Sequence, residues 1–146
     1  MDDILSSTAA IVALIAAGVF FMAGLLTGVW KYTSIMGNEK SEAPYYVNIA
    51  HRAALLYAYA ALLIAVFAAL SAFSPLVNLL ATIAPLFFFG LAILLYVQLG
   101  LKNETDNQFR DAPNRGTIKI LMTALIIAEI GGFGILFAGF IWRLVA

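Results

Sequence analysis

One histidine, one carboxylate and several phenols carry the chemistry that this sequence places inside apolar segments. His51 is the sole histidine of the 146 residues and stands near the start of a long apolar run, Asn48-Ile49-Ala50-His51-Arg52-Ala53. An imidazole entering a membrane span is costly to leave unpaired, so it wants a partner. Three roles compete for it. It can be an interfacial histidine bonded to a carbonyl or a loop residue, with Arg52 snorkelling beside it. It can be an axial ligand to haem iron, for which neutral imidazole is a standard donor. It can also be a general acid or base without metal. The residues alone leave all three open. A single histidine cannot build a multi-histidine zinc or di-iron site.

Tyr96 lies about one and a half turns inside the end of a later apolar run, and His51 about one turn inside the corresponding end of its own. At ~1.5 Å of rise per residue the two share a depth to within about 5 Å, so antiparallel neighbours could bring them to one cavity. Tyr57 and Tyr59 lie deeper on the histidine's helix and are candidates for the floor. Glu129 sits about twelve residues into the last apolar run, where a carboxyl must be protonated or paired. A hydrogen bond to Thr123, Thr82 or a tyrosine hydroxyl is the ordinary expectation for it. The segment Asn103-Glu104-Thr105-Asp106-Asn107-Gln108 is either a solvated loop or a lid over the cavity mouth. No Gly-rich phosphate loop, nucleophile elbow or paired-carboxylate motif is present.

The elements that position these residues follow from composition. The chain is 64% hydrophobic and 11% charged, with a mean hydropathy of +0.99. A soluble domain of this length has too much surface for such a composition. The expectation is an all-α integral membrane four-helix bundle in a lipid bilayer, one domain over residues 1–146. Its spans run at about 9–32, 49–73, 77–101 and 118–144, each longer than the ~20 residues that cross a bilayer core. Run length excludes the short alternating strands of a barrel. The acidic start Met1-Asp2-Asp3 does not read as a signal peptide, so the first span is expected to be retained. With no cysteine, disulfides, thiolates and iron–sulfur clusters are excluded. The formal charge of zero and the lack of a basic run give no support to a nucleic-acid partner.

Lys31, Lys40, Arg52, Lys102, Arg110, Arg115 and Lys119 fall on one side of these spans and only Arg143 on the other. That bias predicts cytoplasmic loops at 33–48 and 102–117, with both termini on the periplasmic or outer side of what is expected to be a bacterial inner membrane. Trp30, Tyr32, Tyr45, Tyr46 and Trp142 then lie near the interfaces. Gly24-Leu25-Leu26-Thr27-Gly28 in span one and the glycines at 131, 132, 134 and 139 in span four predict close helix packing, within one protomer or between protomers of an oligomer.

Three stretches give the chain a family resemblance. Ala23-Gly24-Leu25-Leu26-Thr27-Gly28-Val29-Trp30, the pair Ala50-His51, and Tyr96 followed by an Asn-rich loop and Asn114-Arg115-Gly116 together resemble the small four-span membrane proteins that include styrene oxide isomerase and hydroxylaminobenzene mutase. The likeness in helix order and length runs over nearly the whole chain, through short motifs. It implies a homotrimer with ferric haem b near the subunit interfaces and His51 as axial ligand. It further implies that the iron acts as a Lewis acid in a Meinwald-type rearrangement of a small, aryl epoxide-like substrate, whose oxygen Tyr96 orients. The sequence also departs from the pattern. Tyr57 stands six residues after the histidine, where the isomerase has asparagine, and Arg52 and Ala53 replace the mutase-type Leu-Glu. Tyr57 thereby joins Tyr96 as a candidate catalytic residue. A non-catalytic haem protein that senses or carries electrons, and an accessory subunit of a larger membrane complex, are the alternatives.

Overall fold

The computed structural model describes residues 6–146; the acidic start at Met1, Asp2 and Asp3 lies outside them. Four α-helices follow one another among the described residues: α1 (Thr8–Met36), α2 (Tyr45–Leu70), α3 (Pro75–Lys102) and α4 (Arg115–Val145). All four are long and apolar enough to cross a membrane. Large apolar side chains such as Ile15, Leu26, Leu56, Leu94 and Ile127 cover the outer surface, as a lipid environment requires. The chain is a multi-pass integral membrane protein.

Three of the four helices open on a side-chain cap. Ser7 caps α1 by accepting the Ala10 N–H, Ser74 caps α3 through Val77 N–H ahead of Pro75, and Asn114 caps α4 through Gly116 and Thr117 N–H. Asn103 closes α3 in the left-handed conformation. Three helices run a few residues past their expected spans into the interface, but α2 stops three residues early, at Leu70. The cause is a polar staple. The Ser71 hydroxyl donates to Asn78 Oδ1 (2.8 Å), Asn78 Nδ2 donates to the Phe73 carbonyl (3.0 Å), and Ala72 N–H reaches the Gly139 carbonyl on α4. Asn78 is 6% exposed, so these bonds satisfy a side chain that would otherwise be expensive to bury.

The closest pair is α1 with α2. On α2 the ladder Ala50, Ala54, Ala58, Ala61, Ala65 and Ala68 is buried along one face, meeting Ala9, Ala13 and Phe20 of α1 in the core. Gly24 and Gly28 complete the seam. A Cβ on Gly24 would stand 2.6 Å from Leu55 Cδ2, and one on Gly28 would stand 2.9 Å from His51 Cε1. The predicted small-residue face of span one therefore packs within the protomer. In contrast, α4 leans on α3 and more lightly on α2, and α1 is not its neighbour. Its approach to α3 centres on Gly132. Pro85 lacks the N–H that would bond the Ala81 carbonyl four residues earlier, and a Cβ on Gly132 would come within 2.5 Å of that oxygen. Gly131 and Gly134 face open space.

Candidate functional site

The polar residues of α2 divide between two faces. At ~100° per residue, Ile49, Arg52, Ala53 and Leu56 fall on one stripe, and His51 lies on the far side of the helix. The structure follows that arithmetic. The His51 ring enters the α1–α2 seam, where Nδ1 lies 2.8 Å from the Gly24 carbonyl oxygen. A carbonyl oxygen only accepts, so Nδ1 carries the proton. In the neutral ring Nε2 then holds the lone pair. No hydrogen-bond partner meets Nε2 among the described residues. The imidazole is thus oriented by a backbone oxygen on one nitrogen, with a single donor nitrogen left over, an arrangement common to metal-ligating histidines. The missing Cβ of Gly28 makes the room for the ring. No three His, Cys, Asp or Glu side chains converge among the described residues, so His51 stands as a one-nitrogen donor.

On the opposite stripe, α2 and α3 enclose a hollow of about 250 Å³ lined by Ile49, Arg52, Ala53, Leu56, Tyr57 and Tyr96. It is just below the ~300–1,000 Å³ range of ordinary ligand pockets and suits a one-ring molecule. Tyr57 and Tyr96 therefore meet in one cavity, but His51 does not share it. It is the azimuth of His51 on α2 that separates it from Tyr96. Tyr59 is 69% exposed and points outward, contributing to a groove with Gly18 and Phe21 between α1 and α2.

Both phenols of the hollow are held by ring contacts. Tyr57 stacks on Phe89 with centroids 4.4 Å apart, and Tyr96 stacks on Tyr46 at 6.1 Å. Tyr46 is buried rather than interfacial, and its hydroxyl accepts the Gln108 N–H at 2.6 Å. The α3–α4 loop is thereby tied down above the tyrosines. The Gln108 side chain lies beside the Tyr96 hydroxyl. Its buried Oε1 nevertheless meets no partner in hydrogen-bond geometry, so the contact is weak. The Tyr57 hydroxyl has no hydrogen-bond partner among the described residues.

Glu129 is half-buried on α4, within electrostatic reach of both Tyr57 and Tyr96. It makes no hydrogen bond to Thr123, Thr82 or a tyrosine. Thr123 donates to its own helix at the Lys119 carbonyl, and Thr82 is fully buried with its hydroxyl unpartnered. The loop itself is organised around Arg110, which reaches Asp106 and Asp111 at 2.6 and 2.8 Å. Hydrogen bonds from Arg110 and then Thr105 hold the Asp111 carboxyl down at about 2.

Sequence reasoning overlooked Arg52 as a lining residue and treated it only as a snorkelling neighbour of His51. The i, i+3, i+4, i+7 series 49, 52, 53 and 56 is the signal that finds it. Set against family models, curated proteins and solved structures, the chain matches none of them.

Proposed function

We propose that this chain is a haem b-dependent membrane isomerase for a small apolar, aryl epoxide-like substrate, with His51 as the iron ligand. The observation that carries the reading is the bond from His51 Nδ1–H to the Gly24 carbonyl, which leaves Nε2 as the ring nitrogen that could serve a metal. The site's residues fit the group. The ring sits in a notch that a Cβ on Gly28 would fill, and its lone pair is not consumed inside the protomer. When bound, ferric haem supplies a Lewis acid for an epoxide oxygen.

The protein's own part is binding and orientation. The Gly24 carbonyl holds the imidazole in one tautomer and raises its basicity toward a metal. Tyr57 and Tyr96 offer hydroxyls to a substrate oxygen, from rings already locked by stacking, so little ordering is needed when they act. Ile49, Ala53 and Leu56 give the hollow an apolar wall for the body of the substrate. Because His51 and the two tyrosines lie on opposite faces of α2, this reading needs a second copy. The His51 face of one protomer meets the tyrosine hollow of its partner, a head-to-tail contact of the kind that closes into a ring such as the trimer. Cytoplasmic loops and outward termini in a bacterial inner membrane belong to the same reading, on the strength of the seven-to-one split of basic residues.

The test is the absorption spectrum of detergent-purified protein. The expected result is a Soret band that disappears in His51→Ala while helical content is unchanged. A colourless wild type, or a band that survives in the variant, overturns the proposal.

A further inference from the structure

The hollow between α2 and α3 is not uniformly apolar. Its mouth carries Arg52, seven residues into α2, and its depth is marked by Tyr57, five residues further on. At ~1.5 Å per residue these lie about 8 Å apart along the helix, enough for one aromatic ring with its substituent. No carboxylate approaches Arg52 within ion-pair distance among the described residues. Glu129 starts fourteen residues into α4 and so lies roughly 10 Å deeper than Arg52, beyond the phenols. The site is therefore polarised: a guanidinium and the Tyr96 ring at its shallow end, apolar walls below them, and the Tyr57 ring at its deep end. A neutral hydrocarbon ring would leave that guanidinium unused. A ligand with an anionic end would satisfy it through charge-assisted hydrogen bonds, for which the planar guanidinium fork is suited.

We infer that the Arg52–Tyr57–Tyr96 hollow binds an anionic group carried on a small apolar body, with the anion on Arg52 and the apolar part reaching down to Tyr57. This rests on the isomerase reading only where the ligand is taken to be the substrate, whose class then becomes a one-ring aromatic that bears a carboxylate. The same chemistry can come from an anionic lipid, whose phosphate would lie on Arg52 with the start of an acyl chain in the hollow. Neutral ligands are disfavoured in both cases.

The experiment uses the full-length protein as purified, whether or not it is coloured, in phosphatidylcholine nanodiscs. Calorimetry compares phenylacetate with phenylacetamide, which has the same shape without the charge. Wild type should bind phenylacetate at least tenfold more tightly than the amide, and the gap should narrow as salt is raised. Arg52→Gln should remove the preference and Arg52→Lys should retain part of it, which separates loss of charge from loss of fold. A parallel arm uses discs containing phosphatidylglycerol, with native mass spectrometry of retained lipid. Phosphatidylglycerol enriched by wild type but not by Arg52→Gln, together with weakened phenylacetate binding, identifies the lipid as the anion and supports the inference. Equal binding of acid and amide with no lipid enrichment overturns it, as does a charge preference that survives in Arg52→Gln. A coloured protein with no charge preference leaves the isomerase reading intact and ends this one. A colourless protein with the preference does the reverse.

Discussion

The two faces of α2 solve different problems with residues one position apart. His51 turns into a seam where α1 presents Gly24 and Gly28, and the ring has no room to turn: a Cβ on either glycine would collide with Leu55 or with the imidazole itself. Arg52 lines a hollow of about 250 Å³ whose phenols are stacked on rings beside it, Tyr57 on Phe89 and Tyr96 on Tyr46. One face is finished by packing and the other is left open. Close packing fixes a side chain's direction to fractions of an ångström, which suits a donor atom that must point one way. An open cavity suits a molecule that must come and go.

The sharpest way to break this contrast is His51→Ala, which should abolish the Soret band outright and leave the Arg52 hollow able to bind. If phenylacetate binding fell with it, the two faces would be one site. Next in size, a mixed preparation of His51→Ala and Tyr96→Phe protomers should recover part of the turnover of an aryl epoxide that each variant lacks by itself, measured against equal amounts of either pure variant. Recovery is what a site shared across two copies demands; its absence would return both residues to a single protomer.

Smaller effects grade the packing. Gly24→Ala should destabilise the protein by about 1–3 kcal/mol, the usual cost of overpacking, as read from denaturant unfolding in mild detergent. Gly134→Ala meets nothing within 4 Å and should leave the stability of the protomer unchanged. Tyr46→Phe removes the acceptor of the Gln108 N–H and should cost about 1 kcal/mol, with faster hydrogen exchange confined to the α3–α4 loop.

The smallest effect concerns pH. Asp111 is held at about 2 by Arg110 and Thr105, below its ordinary value of ~3.9. Its folded-state value is depressed, so its contribution is fully present above the unfolded value and is lost as pH falls toward 2. Carboxyl chemical shifts of Asp111 should therefore titrate near pH 2, and Arg110→Gln should move them upward. A midpoint near 4 in the wild type would show that the Arg110 clamp does not form.

Much of the architecture was legible because it is written in one dimension. Run length marked four spans. Gly24 and Gly28 announced a close helix contact. The early end of α2 was not legible, because Ser71 leaves the helix to bond Asn78 seven residues ahead and a carbonyl from α4, partners that hydropathy does not see. Tyr46 read as an interfacial ring but is buried as the loop's anchor, for the same reason: its partners are Tyr96 and Gln108, fifty and sixty-two residues away.

By itself the sequence determined that the chain crosses a bilayer and how often, since hydrophobic length is a local quantity. Only the tertiary structure decided that His51 looks toward α1 while Tyr57, Tyr96 and Arg52 share another chamber. Which way a side chain faces is set by the rotation of each helix about its axis. That rotation is chosen by the fit of small residues, Gly24 and Gly28 against the alanine ladder of α2, across the whole bundle at once.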